Sequence, residues 1–71
     1  MEEEFVCVYT SAQPYDAQLV QGLLIDSGIE ATVVNKRDSL YLIGYAEVYV
    51  KKEDQEIALE IINKRETLRE E

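Results

Sequence analysis

Hydrophobic and polar positions along this chain change their period from segment to segment, and each change marks an element. Phe5-Val6-Cys7-Val8-Tyr9 is an uncharged, β-branched and aromatic run closed by Thr10-Ser11, which predicts a first strand over residues 5–9. Pro14 suits the first turn of a helix, where its missing N–H costs nothing, and Asp16 complements the positive end of the helix dipole. From there Ala17, Val20, Leu23 and Leu24 recur at three- and four-residue spacing, with Leu19 widening the stripe, while Gln18, Gln21 and Asp26 face water. This predicts a helix over 14–27. Gly28 stands at the left-handed capping position, with Ile29 placed to fold back onto Leu24.

Period two returns in Glu30-Ala31-Thr32-Val33-Val34, a second strand over 30–34, and Asn35 begins a polar turn. The segment 35–44 then reads as a long connector, beyond the usual four to six residues, and it carries Leu40-Tyr41-Leu42-Ile43. Two readings stand: these residues extend the flanking strands into a longer hairpin, or they form a recognition loop with Lys36, Arg37 and Tyr41 as contacts. Tyr45-Ala46-Glu47-Val48-Tyr49-Val50 alternates as a third strand over 45–50. Glu53 and Asp54 supply first-turn acids for a second helix over 53–66, striped by Ile57, Ala58, Ile61 and Ile62 and ending near Lys64-Arg65.

The order βαββα in one domain over 1–71 predicts an α+β fold, a ferredoxin-like unit lacking its fourth strand. A right-handed crossover sets the sheet order 1-3-2, with both helices on one face. Strands one and three are expected side by side and parallel, with strand two antiparallel beyond strand three. If Val6, Val8, Val48 and Val50 face the helices, then Phe5, Cys7, Tyr9, Glu47 and Tyr49 line the other face. That face reads either as an aromatic-rich interface or as tyrosines covered by neighbouring long side chains. Strand one also presents an edge without lysine or proline protection, to be covered by a second copy, a partner strand or the Leu40–Ile43 segment.

Charge and composition narrow the function. A 71-residue chain buries about 60% of the surface its unfolded form exposes, enough for one thin core. Its formal charge of −8 repels nucleic-acid phosphates and anionic lipid, so neither is an expected partner. Residues 1–35 carry no base at all, and the paired bases are Lys36-Arg37, Lys51-Lys52 and Lys64-Arg65. The acidic opening Met1-Glu2-Glu3-Glu4 lacks the pattern of a secretion signal, and no apolar run approaches the ~20 residues of a membrane span, so a cytoplasmic protein is expected.

Catalytic and metal-binding patterns are missing from the sequence. Cys7 is the one cysteine and the chain contains no histidine, so neither a thiolate–base pair nor zinc-ligand spacing can be assembled, and a structural thiol is expected. Glu53-Asp54-Gln55-Glu56 reads as a solvated helix start rather than an oxygen-ligand cation site. Gly22, Gly28 and Gly44 form no phosphate-binding loop. No enzyme, cofactor or metal is expected.

The residues Val8-Tyr9-Thr10, Ala17 to Leu24 leading into Ser27-Gly28-Ile29-Glu30-Ala31, and Val48 to Val50 followed by acids and Ala58 resemble a family of short prokaryotic domains of unknown function. That family is labelled "putative prokaryotic signal transducing protein", and its fold is similar to GlnB, the PII regulator. Family members commonly show a proline just before the second helix, where this chain has Lys52, and no cysteine-rich metal appendage follows. The resemblance carries no catalytic or ligand residues onto this chain. It implies a small regulatory module, and in PII regulators the long loop between the second and third strands docks partners. The leading expectation is a binding module in signal transduction, acting through a protein partner or a homodimer and using Lys36, Arg37, Tyr41, Phe5, Tyr9 and Tyr49. The alternative is a PII-like sensor of a small anionic metabolite near Lys36, Arg37 or Lys51.

Overall fold

A helix placed between the first two strands forces them to run the same way, because the chain must travel back along the sheet before entering the second. The computed structural model, which describes residues 4–38 and 43–69, realises this with β1 (Phe5–Ser11), α1 (Pro14–Asp26), β2 (Ala31–Asp38), β3 (Ile43–Lys51) and α2 (Gln55–Arg69). A 3-10 turn, Lys52–Asp54, leads into α2. The sheet order is β1-β3-β2, and β3 is antiparallel to both neighbours. The parallel pairing of strands one and three expected from the sequence is therefore corrected. The crossover relates β1 to β2, so a strand inserted between them by a hairpin must run against both.

The long connector expected over 35–44 is mostly strand. Asn35 pairs with Ala46, Lys36 with Tyr45, Arg37 with Gly44 and Asp38 with Ile43, so the hairpin reading holds for these positions. Tyr41 and the rest of Leu40–Leu42 lie outside the described residues.

One cluster forms the core: Ala17, Val20 and Leu24 of α1, Ile29 and Ala31, Ala46, Val48 and Val50 of β3, and Ala58 and Ile62 of α2. Both helices thus cover the same face of the sheet. The alanines bring the helix backbones close to the strands, and the larger side chains fill the remaining space. Two edges of the expected stripes are wetter than their spacing suggests. Leu19 is 45% exposed and Ile57 is 53% exposed, because a helix laid on one face of a sheet buries only a narrow arc of its surface. Gln21, expected to face water, is half-buried and its Nε2 donates to the Ala31 carbonyl at 3.0 Å.

The C-terminus of α1 ends as its sequence dictates. Ile29 N–H donates to the Leu24 carbonyl at 2.9 Å and Gly28 N–H to the Ile25 carbonyl at 2.9 Å, a Schellman pair made possible by Gly28 at φ 89°. Gly22 sits mid-helix on the exposed side, and a Cβ placed there would meet nothing within 4 Å. The two glycines should respond oppositely to alanine. Gly22→Ala is expected to stabilise the fold by about 1 kcal/mol through helix propensity. Gly28→Ala is expected to cost about 1 kcal/mol, since a Cβ disfavours positive φ. Urea unfolding of both variants checks this, and equal midpoints would contradict it.

Candidate functional site

With both helices on one side, alternate residues of each strand face away from the core. On β3 these are Tyr45, Glu47, Tyr49 and Lys51, between the buried Ala46, Val48 and Val50. The antiparallel register then lays out rows across the open face. Phe5 stands opposite Lys51; Cys7 and Thr32 flank Tyr49; Thr10 and Val34 flank Glu47; Lys36 stands opposite Tyr45. Side chains from all three strands therefore share one surface.

Tyr9 departs from this layout. The register shifts between Cys7 and Tyr9, so that Cys7 opposes Tyr49 while Tyr9 opposes the buried Val48. Val8 is the extra residue, and both Val8 and Tyr9 pack against the helix-covered core. The expectation that Tyr9 joins Phe5 and Tyr49 on the open face is corrected. A β-bulge inverts the parity of every later residue in its strand, and here it moves the Tyr9 ring to the other side.

Phe5, Thr32, Val34, Lys36 and Tyr49 line a shallow depression of about 480 Å³ on the open face. Of the six residues expected to contact a partner, the structure thus brings together Phe5, Lys36 and Tyr49. Arg37 occupies the next register position, opposite Gly44, and Tyr41 lies outside the described residues. Thr32, Val34 and Glu47 are not among the expected contacts. The signal for them is pairing parity, because once β2 is set against β3 residue by residue, Thr32 and Val34 must accompany Tyr49 and Glu47. A hollow of about 610 Å³ on α2 is lined by Glu56, Leu59, Glu60, Ile62 and Asn63, all from a single helix, and gathers nothing from the sheet.

Glu47 organises the polar half of the open face. Its Oε1 accepts a hydrogen bond from the Tyr49 hydroxyl at 2.9 Å, and the same oxygen lies 3.3 Å from Lys36 Nζ. The Glu47 side chain is 18% exposed against 44% for Lys36, so the carboxylate is the more shielded partner. The hydrogen bond and the negative charge of Glu47 hold the Lys36 ammonium above its ordinary pKa. The phenol of Tyr49 is likewise raised, first by its bond to Glu47 and then by partial desolvation. Lys51 is engaged by Glu30 at 3.4 Å.

Cys7 is exposed on the helix-free face where strand parity places it, and its Sγ lies 3.5 Å from both the Tyr9 carbonyl oxygen and Thr10 Oγ1. Neither neighbour is a base. Among the described residues no three histidine, cysteine or acidic side chains gather as a metal-binding group. No described helix is long and apolar enough to cross a membrane.

The shared carboxylate makes a prediction with a definite sign. Both Lys36 and Tyr49 have folded-state pKa values above their ordinary ones, so the stability they contribute is whole below about pH 10 and is lost as pH climbs through the raised values. In Glu47→Gln, the Tyr49 ring followed by NMR should titrate at lower pH than in the wild type. The stability gap between the two proteins should narrow above about pH 10. An unmoved Tyr49 titration would show that Glu47 does not control the pair.

No curated protein and no solved structure matches the chain. A family model does match, over residues 5–66, which takes in every strand and helix up to the last turn of α2. The chain accordingly belongs to the prokaryotic family described as "Putative prokaryotic signal transducing protein".

Proposed function

We propose that this chain is a non-enzymatic module that transmits a signal by docking a protein partner on its open sheet face. The observation that carries this reading is the depression in which Phe5, Val34 and Tyr49 supply apolar surface beside the Lys36–Glu47 pair. Phe5 is 43% exposed, a large apolar ring left in water by a fold that had helices enough for one face only. An uncovered apolar centre with a polar border has the composition of an interface. No chemistry is assigned to the site, because Cys7 lacks a base and the polar groups beside it are already bonded to one another.

The sensor of an anionic metabolite is the weaker reading. Lys36 is neutralised by Glu47 and Lys51 faces Glu30, so two of the three cations it would need already have carboxylate partners. A net charge of −8 also repels a free anion, and it favours instead a neutral or basic protein surface.

Affinity capture from a prokaryotic lysate separates these readings. Bound protein should be lost in Tyr49→Ser and in Val34→Asp, and retained in Leu59→Ser, a control on the exposed flank of α2. A partner bound equally by all three would count against the open face. A thermal-shift screen with nucleotides and organic acids should show no stabilisation. A ligand at a hundredfold excess over its Kd would add about 2.7 kcal/mol and would favour the sensor.

A further inference from the structure

The two margins of the sheet are unlike. β2 carries Lys36 and Arg37 within its strand, and the Gln21 amide already occupies the Ala31 carbonyl. Charge and capping of this kind discourage an added strand. β1, Phe5–Ser11, has neither a charged residue nor a proline, and no described strand lies beyond it.

The phase of β1 is fixed by one bond. Lys52 N–H donates to the Glu4 carbonyl at 2.8 Å, and the register of Phe5 with Lys51, Val6 with Val50 and Cys7 with Tyr49 continues from it. Peptide groups alternate in direction along an antiparallel strand, so Glu4 and Val6 bond inward to β3 while Phe5 and Cys7 turn their N–H and C=O groups outward. Past Cys7 the bulge breaks the alternation. The regular outward template is therefore Phe5 and Cys7 alone.

We propose that this template pairs with its own counterpart in a second copy, β1 against β1, antiparallel about a two-fold axis at Val6. An occupant must be extended and uncharged, with outward groups at the same two-residue spacing, and a second copy meets each requirement by symmetry. In this register Phe5 of each copy exchanges bonds with Cys7 of the other. An axis at Cys7 would set Phe5 against Tyr9, across the bulge, where the alternation is lost. An axis at Phe5 would set Cys7 against the acidic Glu3.

Pairing at this edge makes one six-stranded sheet and merges the two open faces across the seam, with Phe5 of one copy beside Cys7 of the other. The merged surface bears on signalling only if partner docking on the open face holds; the strand pairing stands apart from it. The seam is short, which places the dimer among weak, reversible associations. Each copy carries a charge of −8, so the copies repel and salt strengthens their association. Docking of a basic partner would respond to salt in the opposite sense.

Sedimentation of the full chain tests the proposal. The expected result is a mass that rises from 8.2 kDa toward twice that value with concentration, more readily at moderate than at low salt. In Val6→Cys combined with Cys7→Ser, the introduced thiols oppose each other directly with Cα atoms about 4.5 Å apart, within disulfide reach. Oxidation should convert this variant to a covalent dimer. The native Cys7 thiols would be diagonal neighbours about 7–8 Å apart and should cross-link far more slowly. Cys7→Pro removes one outward N–H and spares the inward ladder, so it should give a monomer with unchanged circular dichroism. Phe5→Lys, at an exposed position, should do the same if the proline variant fails to fold. Tyr49→Ser strips the docking face and should leave the dimer intact, so loss of docking and loss of pairing are read separately. A monomer at every concentration, a native Cys7 cross-link as fast as that of the Val6→Cys variant, or a folded Phe5→Lys protein that still dimerises would each overturn the proposal.

Discussion

Burial on one side only is the constraint from which the other features follow. Three strands offer two faces, and two helices are enough to cover one of them. The buried set includes four alanines, Ala17, Ala31, Ala46 and Ala58, so the core is thin and depends on close approach of helix and sheet backbones. Leu24, Val20, Val48 and Val50 are its largest fully buried side chains. Residues of the opposite parity lie on the helix-free side, and the chain meets that demand with Thr10, Thr32, Lys36 and Glu47 while leaving Phe5 exposed and Val34 and Tyr49 half-buried.

The bulge in β1 modifies that parity at a useful point. Without it, Tyr9 would stand on the open face and a residue beyond it would turn to the core. With it, Val8 and Tyr9 both lie against the helix-covered side, giving a core of small residues an aromatic ring at its border. The same irregularity limits the regular part of the β1 edge to the residues before Val8. One inserted residue therefore sets both the composition of the sheet face and the length of strand an edge partner can use.

Much of the fold is legible in the sequence because local rules act alone there. Gly28 and Ile29 specify the end of α1, and Pro14 its start. The order of elements and the sheet order 1-3-2 follow from the periods and the crossover rule. Strand direction is the exception, because that rule governs β1 and β2, and applying it to β1 and β3 gives the wrong sense. The bulge has no local signal: Val8 and Tyr9 suit either face, and only pairing with β3 reveals that two residues on β1 occupy the space of one. Lys36 and Arg37 look like loop residues by composition, yet the ladder to Tyr45 and Gly44 overrides that preference. The candidate site is half visible for the same reason. Phe5 and Tyr49 stand out as aromatics at outward-alternating positions of their strands, whereas Thr32 and Val34 enter the site through register, which one strand's sequence does not contain.

A thin one-sided core also ties stability to association. Anything that binds the folded chain and not the unfolded one adds to its stability by mass action, and a domain with little buried surface has the most to gain. The open face and the β1 edge are distinct surfaces that meet at Phe5, whose ring belongs to the depression and whose peptide groups belong to the edge. Occupancy of one would order the residue shared with the other. Two weak contacts coupled through one residue can respond more steeply to concentration than either alone. Such coupling is the physical means by which the two proposed associations would act on one another.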